Sequence, residues 1–361
     1  MLAVIRWRSG IVSAVGASWH GAVSLSVSVD GVSMPALAYP MLVGTPAVGD
    51  RVLLNVGAQL MGLGTGGYAL VVALPDRLPP DPPDDGTTRD AGHMVKARYT
   101  PLQAIVRGVD EPSSPHHAAL SGVSDIDGMP VVTADLHSAL PAILAGVLRD
   151  APAARVAYVM TDGGALPAWF SRTLDGLRET LAGTVTVGQA FGGDLEATTV
   201  HTGLLAARHV LGADVAVVAQ GPGNLGTGTA WGFSGVAVGE AVNAAAAVGG
   251  RPVGSLRISA ADPRPRHRGV SHHSLTAYGR VALAPADLIV PAGFDSLIGD
   301  ALSPLAARHR IVSVPVDGLE AALRESPVRL STMGRGLDED LAYFLAAAAA
   351  GRWAASLAPP A

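Results

Sequence analysis

Apolar and polar residues alternate along much of the first 75 positions of the chain. The runs VIRWRSGIVSAV, GAVSLSVSVDG, MPALAYP, GDRVLLNVGAQ and GGYALVVAL are short, rich in Val and Leu, and spaced by Gly, Pro and Asp. A period of two puts one face of such a run against a core, so each reads as a strand. Several short strands at regular spacing predict a small β-barrel over residues 1–75. The stretch 76–92 is dominated by proline and aspartate with almost no apolar residue, and reads as an exposed linker or long loop.

From about His93 the texture changes to apolar runs alternating with helical segments. Strands are predicted over Pro130–Ala134, Arg155–Thr161, Thr184–Gln189, Asp214–Gln220, Pro252–Ile258, Leu288–Pro291 and Ile311–Val316. Helices are predicted over Leu136–Arg149, Leu166–Ala182, Leu195–Leu211, Gly235–Val248, His272–Leu283, Ser296–His309 and Leu337–Ala350. Strand–helix units in a row make a parallel sheet the default. The fold class is therefore α/β: a small N-terminal β-barrel, then a mainly parallel, Rossmann-like sheet domain over residues 93–361. The last helix carries LAYFLAAAAA, apolar on nearly all sides, which has to be covered by its own domain or by a second subunit.

Composition narrows the chemistry. The 361 residues include no Cys, 5 Trp, 6 Tyr, 5 Phe and a single lysine, Lys96. Thiol nucleophiles, disulfides and thiolate metal sites are excluded, and Lys96 sits in HMVKARYT, which is no P-loop. The net charge of −5 offers no basic footprint for nucleic acid, so that partner is disfavoured. Arg6, Arg8 and Arg51 with Trp7 and Trp19 are all the barrel offers it. Mean hydropathy is +0.35, yet the most apolar window, Trp231–Val248, carries Glu240 and Asn243, so no membrane partner is expected. Arginines stand where a signal peptide needs its apolar core, which points to the cytoplasm.

The polar residues of interest fall after predicted strands, where open α/β sheets bind ligands. Asp135 and His137 follow the first strand of the sheet domain, Asp162 the second, and Gln189, Asp194 and Glu196 the third. The next strand leads into GPGNLGTGTAWGFSG, six glycines in fifteen residues, where Gly221, Gly223, Asn224, Gly226 and Thr227 would offer amides to an anion. Sharp turns explain those glycines equally well. The richest segment is Arg257–His273, which carries Asp262, Arg264, Arg266, His267, Arg268, Ser271, His272 and His273 in twelve positions. The arginines suit phosphate or carboxylate oxygens, and Ser271 is placed to cap a helix beginning at His272.

His267, His272, Asp162, Asp194 and Glu196 are the candidate acid/base groups. Asp262, His267, His273, Asp135 and His137 are the candidate metal ligands, so a divalent metal stays open as cofactor. Joint ligation by His272 and His273 is expected to be awkward, because neighbours on a helix point about a quarter turn or more apart. The bland alternatives are a solvated charged loop, and Asp135 and Asp194 acting as helix caps. No GxSxG elbow and no dinucleotide fingerprint is present.

The segments GTGGYALVVAL, GHMVKARYTPLQ, ADLHSALP, YVMTDGGALP, TVGQAFGGDLEA, GPGNLGTGT and ADPRPRHRGVSHHSLTA resemble a bacterial family known as a domain of unknown function, DUF family 3866. The resemblance implies a widely distributed cytoplasmic protein of similar length and brings no assigned reaction. The residues themselves lead to an expectation of an anionic small-molecule ligand, phosphorylated ones included, at the strand ends, with hydrolysis or group transfer. The alternative is a non-catalytic regulatory or scaffolding protein that senses a metabolite and meets a protein partner through the barrel.

Overall fold

The computed structural model describes residues 5–80 and 92–358; most of the Pro/Asp-rich stretch expected to be a linker lies outside them. Two compact units form, one of Met1–Val106 with Trp169–Asp175, the other of Arg107–Ala168 with Gly176–Ala361.

In the first unit, β1 (Trp7–Trp19), β2 (Ala22–Val29), β3 (Val32–Ala38), β4 (Arg51–Asn55) and β5 (Ala69–Ala73) close into a barrel. Its order is β1-β2-β3-β5-β4, with β3 parallel to β5 and β4 pairing back to β1, a five-stranded Greek-key barrel of the OB type. The alternation in AVSLSVSV turns Val23, Leu25, Val27 and Val29 inward. Asp30 and Gly31, both at positive φ, make the two-residue turn from β2 to β3. Segment 169–175 belongs to this unit because Trp169 covers Gly21, where a Cβ would lie 2.3 Å from the indole. Trp19 Nε1 donates to the Trp169 carbonyl at 2.7 Å. A hairpin of β6 (Met94–Lys96) and β7 (Ala104–Val106) follows, with Lys96 fully buried.

The second unit is built on an all-parallel sheet in the order β11-β10-β9-β12-β8-β13-β16-β17. Its strands are β8 (Pro130–Ala134), β9 (Val156–Thr161), β10 (Gly183–Thr186), β11 (Leu195–Glu196), β12 (Val215–Gln220), β13 (Arg251–Ser255), β16 (Asp287–Pro291) and β17 (Arg310–Val314). Strands β8 and β12 are buried along their whole length, which explains why Thr133 and Gln220 alone interrupt their apolar sequences. The connection leaving β8 runs one way along the sheet and that leaving β12 runs the other. The carboxyl ends of β8 and β12 are therefore a topological switch point, the place where such sheets hold ligands.

Several predicted helices are shorter or displaced. Leu195–Glu196 is strand β11, and the helix begins at Val200 behind Thr199, whose Oγ1 accepts Thr202 N–H at 3.2 Å. Segment 166–182 holds only a 3-10 turn, Ala168–Phe170, and a short helix, Arg172–Leu177. The segment 296–309 is a helical turn plus a 3-10 stretch containing Pro304.

The alanine-rich helix runs Leu341–Leu357 and is covered within its own unit, so no second subunit is needed to bury it. It lies against β16, β13 and β8 and packs on the helix Leu140–Asp150 through paired glycines. A Cβ on Gly146 would sit 1.9 Å from the Ala348 carbonyl oxygen, and one on Gly351 would sit 2.0 Å from that of Ile143. Neither backbone can yield to a methyl group without parting the helices. Gly351→Ala and Gly146→Ala should each cost about 1–3 kcal/mol of unfolding free energy, read by denaturant titration; unchanged midpoints would refute this close contact.

His309 is buried with both ring nitrogens engaged. Nδ1 accepts Ala286 N–H at 3.2 Å and Nε2 donates to the Tyr278 carbonyl at 2.8 Å. Burial, partly offset by that carbonyl, lowers its pKa. The unfolded chain then binds this proton more readily than the native one, so the ring's contribution is complete above about pH 6.5 and fades as pH falls below it. The stability difference between the chain and His309→Gln should shrink from pH 8 to pH 5; a constant difference would contradict the assignment.

Candidate functional site

Three strand ends build the site. Asp135 follows β8, Gln220 ends β12, and Arg257 lies two residues beyond β13. Gln220 Nε2 donates to the Asp135 carbonyl at 2.7 Å and to Asn224 Oδ1 at 2.9 Å, tying β12 to β8. After Arg257 the chain forms a two-stranded ribbon, β14 (Ile258–Ser259) and β15 (Gly269–Val270), whose loop carries Asp262 to Arg268. It then enters the short helix His272–Thr276, capped by Ser271, whose Oγ accepts His273 N–H at 3.2 Å.

A buried ion network fixes this loop. Arg257, 3% exposed, sits 3.8 Å from Asp135 Oδ2 and 3.4 Å from Asp262 Oδ2. Asp262 also receives Arg264 through two hydrogen bonds of 2.9 Å and Arg335 at 3.2 Å. Arg335, on the hairpin β18 (Ser331–Thr332) and β19 (Arg335–Gly336), reaches Asp340 at 3.0 Å, and Asp340 accepts Ser259 Oγ–H at 2.6 Å. Burial alone would raise the Asp262 pKa, but hydrogen bonds and charge from Arg264, with Arg335, hold it well below the usual carboxylate range. Asp262 is thus committed to three arginines, and Arg264 is committed to Asp262 rather than open to an anion.

The imidazoles of His267, His272 and His273 converge beside this network. Ring centroids are 4.9 Å apart for His267 and His272, 4.7 Å for His267 and His273, and 4.5 Å for His272 and His273. The adjacent pair meets because side chains at a helix start lean back over the cap, toward His267 on the preceding turn. His267 Nδ1 pairs with Ser271 Oγ at 2.8 Å, and Phe233 stacks flat on His273 at 3.7 Å. Burial, then the charges of Arg257, Arg264 and His273, push His267 down to about 3. Burial and His273 lead the causes that lower His272. Both rings are therefore neutral near pH 7. Buried Asp135 Oδ2 and His273 Nδ1 lie 3.6 Å apart, too far for a hydrogen bond, and neither these atoms nor His272 Nε2 and Gln220 Oε1 have a hydrogen-bond partner.

The other expected residues lie elsewhere or serve the framework. Asp194 and Glu196 flank and end the edge strand β11, four strand spacings from β8, or about 19 Å. Thr184 N–H donates to Asp194 at 2.8 Å, while Thr186 Oγ1 and Gly192 N–H donate to Glu196 at 2.7 and 2.6 Å. Neither Asp194 nor Asp135 caps a helix. Asp162 accepts Gln189 N–H at 2.8 Å and ties the loop after β9 to the loop after β10. His137 is buried, pairs with the Tyr158 hydroxyl at 3.0 Å, and is lowered by burial to about 4.

The glycine-rich segment folds on itself as a projecting hairpin. Thr227 N–H donates to the Gly232 carbonyl at 2.7 Å, Gly226 bridges to Phe233, and Asn224 Oδ1 accepts from Gln220 and Ser234. Gly221 permits close approach: a Cβ there would lie 2.4 Å from the Ala165 carbonyl oxygen. Gly223 takes φ +92°. Arg266 and Arg268 are exposed. The cavity at the strand ends, lined by Asp135, Thr161, Gln220 and Ser234, measures about 10 Å³. Hollows of about 310 and 280 Å³ elsewhere in the unit include no residue of the histidine cluster.

Arg257, Phe233, Gln220, Arg335 and Asp340 were not among the expected site residues. For Arg257 a signal existed, a lone cation inside the apolar run VGSLRIS; for Arg335 and Asp340 none did.

A family model described as "Protein of unknown function (DUF3866)" matches residues 35–351. The chain belongs to this family. A 67-residue stretch is 30% identical to a protein of Mycolicibacterium phlei named UDP-N-acetylglucosamine 1-carboxyvinyltransferase, covering 18% of this chain and 60% of that protein. A protein of the same name from Mycolicibacterium smegmatis is 28% identical over 67 residues, 18% of this chain and 64% of its own length. The chain thus spans less than two thirds of these relatives. No solved structure matches. No helix among the described residues is long and apolar enough to cross a membrane.

Asp262→Ala leaves Arg257 and Arg335 short of a counter-charge in a buried setting. It should cost about 3–5 kcal/mol of unfolding free energy, read by denaturant titration; a loss below about 1 kcal/mol would show the network to be dispensable.

Proposed function

We propose that the chain is an enzyme that hydrolyses an anionic small molecule, or transfers a group from it, at the carboxyl ends of β8, β12 and β13. One observation carries this reading. Among the described residues seven buried side-chain polar atoms have no hydrogen-bond partner, and four of them, on Asp135, Gln220, His272 and His273, belong to this edge. Leaving such an atom unpaired costs about 1–3 kcal/mol, and a cluster of them calls for a ligand or reacting group to complete it. The imidazoles and Asp135 would activate the attacking group. The exposed guanidinium groups of Arg266 and Arg268 would hold the phosphate or carboxylate oxygens of the substrate. The 67-residue likeness is too short to bring carboxyvinyl transfer with it.

The small cavity favours a second reading. A volume of about 10 Å³ suits one water, which fits a regulatory or scaffolding protein that senses a metabolite at the edge and contacts a protein through its barrel. Product formation from a panel of phosphate monoesters, phosphodiesters and carboxylic esters separates the two. The enzyme reading expects turnover of at least one class, falling about 100-fold or more in His272→Ala with an unchanged circular dichroism spectrum. Binding without product supports the second reading, and turnover indifferent to His272→Ala overturns the site.

A further inference from the structure

We propose that His267, His272 and His273 together hold one divalent transition-metal ion of the zinc class, with one coordination position left for water or an anionic oxygen. This inference stands beside the proposed enzyme rather than on it, since an ion can occupy the site with or without turnover. One ligand nitrogen from each ring lies within 4.8 Å of the other two, and no hydrogen bond links the rings to one another. A cation at their centre would give the lone pairs a common partner. Bond lengths of about 2.0–2.1 Å put tetrahedral ligand nitrogens about 3.3–3.4 Å apart, so the rings have to turn inward to close on the ion.

The surroundings match what a metal-binding histidine needs. Such a ring has its second nitrogen held by a hydroxyl, carboxylate or carbonyl, which fixes its tautomer and direction. His267 Nδ1 has Ser271 Oγ at 2.8 Å, leaving Nε2 for an ion. His273 Nδ1 has Asp135 Oδ2 at 3.6 Å, close enough to tighten once the ring is drawn toward a cation. His272 Nε2 is buried without any partner. Three protein ligands with a fourth position free is the arrangement of a catalytic rather than a structural zinc site.

The neighbouring guanidinium groups oppose a bare cation here, so carboxylates and an anionic fourth ligand have to offset them. Asp135, Asp262 and Asp340 match Arg257, Arg264 and Arg335. Neutral imidazoles leave the ion with its full double charge, which selects an anionic fourth ligand. Arg266 and Arg268 on the same loop suit that ligand's remaining oxygens. Asp135 is a positioning residue here, acting through His273.

The test uses the full chain without a polyhistidine tag, stripped with chelator, dialysed and titrated with Co2+. One equivalent per chain should bind with the strong visible bands of a four-coordinate ion, and Zn2+ should displace it. His272→Ala and His267→Asn, each checked for fold by circular dichroism, should bind at least about 100-fold more weakly, and Asp135→Asn about 10- to 100-fold more weakly. Zn2+ should also raise the unfolding temperature of the native chain, which tests binding even where a variant fails to fold. Absence of cobalt bands and of zinc stabilisation, or undiminished binding in folded His272→Ala, overturns the proposal. Metal bound without turnover sinks only the enzyme reading; turnover by a chain that binds no metal sinks only this one.

Discussion

A buried guanidinium holds the site together. Taking Arg257 out of water costs several kcal/mol, which only well-placed carboxylates recover. Asp135 supplies one from the end of β8 and Asp262 supplies the other from the loop beyond β13. The pairing sets the distance between sheet and loop, and so places the histidines at the switch point. Asp262 passes the constraint on to Arg335, and Arg335 to Asp340 at the start of the carboxy-terminal helix. Three stretches remote in sequence become one rigid support.

That support shapes the chemistry it carries. Burial, with the charges of His273, Arg257 and Arg264, disfavours the protonated forms of His267 and His272. The lone pairs of these two rings thus stay available at neutral pH. A chain without cysteine, whose one lysine is buried in the other unit, offers imidazole and carboxylate as its reactive lone pairs. Four of the unpartnered buried polar atoms gather at this one edge.

Small residues make the frame possible. The carboxy-terminal helix uses alanines and Gly351 to lie close on the sheet and on Leu140–Asp150. Its start is thereby fixed beside Ser259, where Asp340 joins the ion network. A bulkier helix would stand farther off and carry Asp340 out of reach. Packing density in the core and charge pairing at the edge are thus two parts of one arrangement.

The sequence by itself determined the two architectures and most strand positions, because period two and unbroken apolar runs are local signals that burial enforces. It also located Arg257–His273 as the richest polar segment, and Ser271 as a cap, since both depend on residues near in the chain. Tertiary structure alone decided which carboxylate lies beside the histidines. Sheet order carried Asp194 and Glu196 to the far edge, and brought in Asp135, which local sequence offers equally as a cap. Arg335 and Asp340 join from some seventy to eighty residues away, through ion pairs that no local pattern encodes. Even the adjacent His272 and His273 needed the fold to decide them. Helical spacing sets them apart, while the lean of side chains at a capped helix start brings them together over His267.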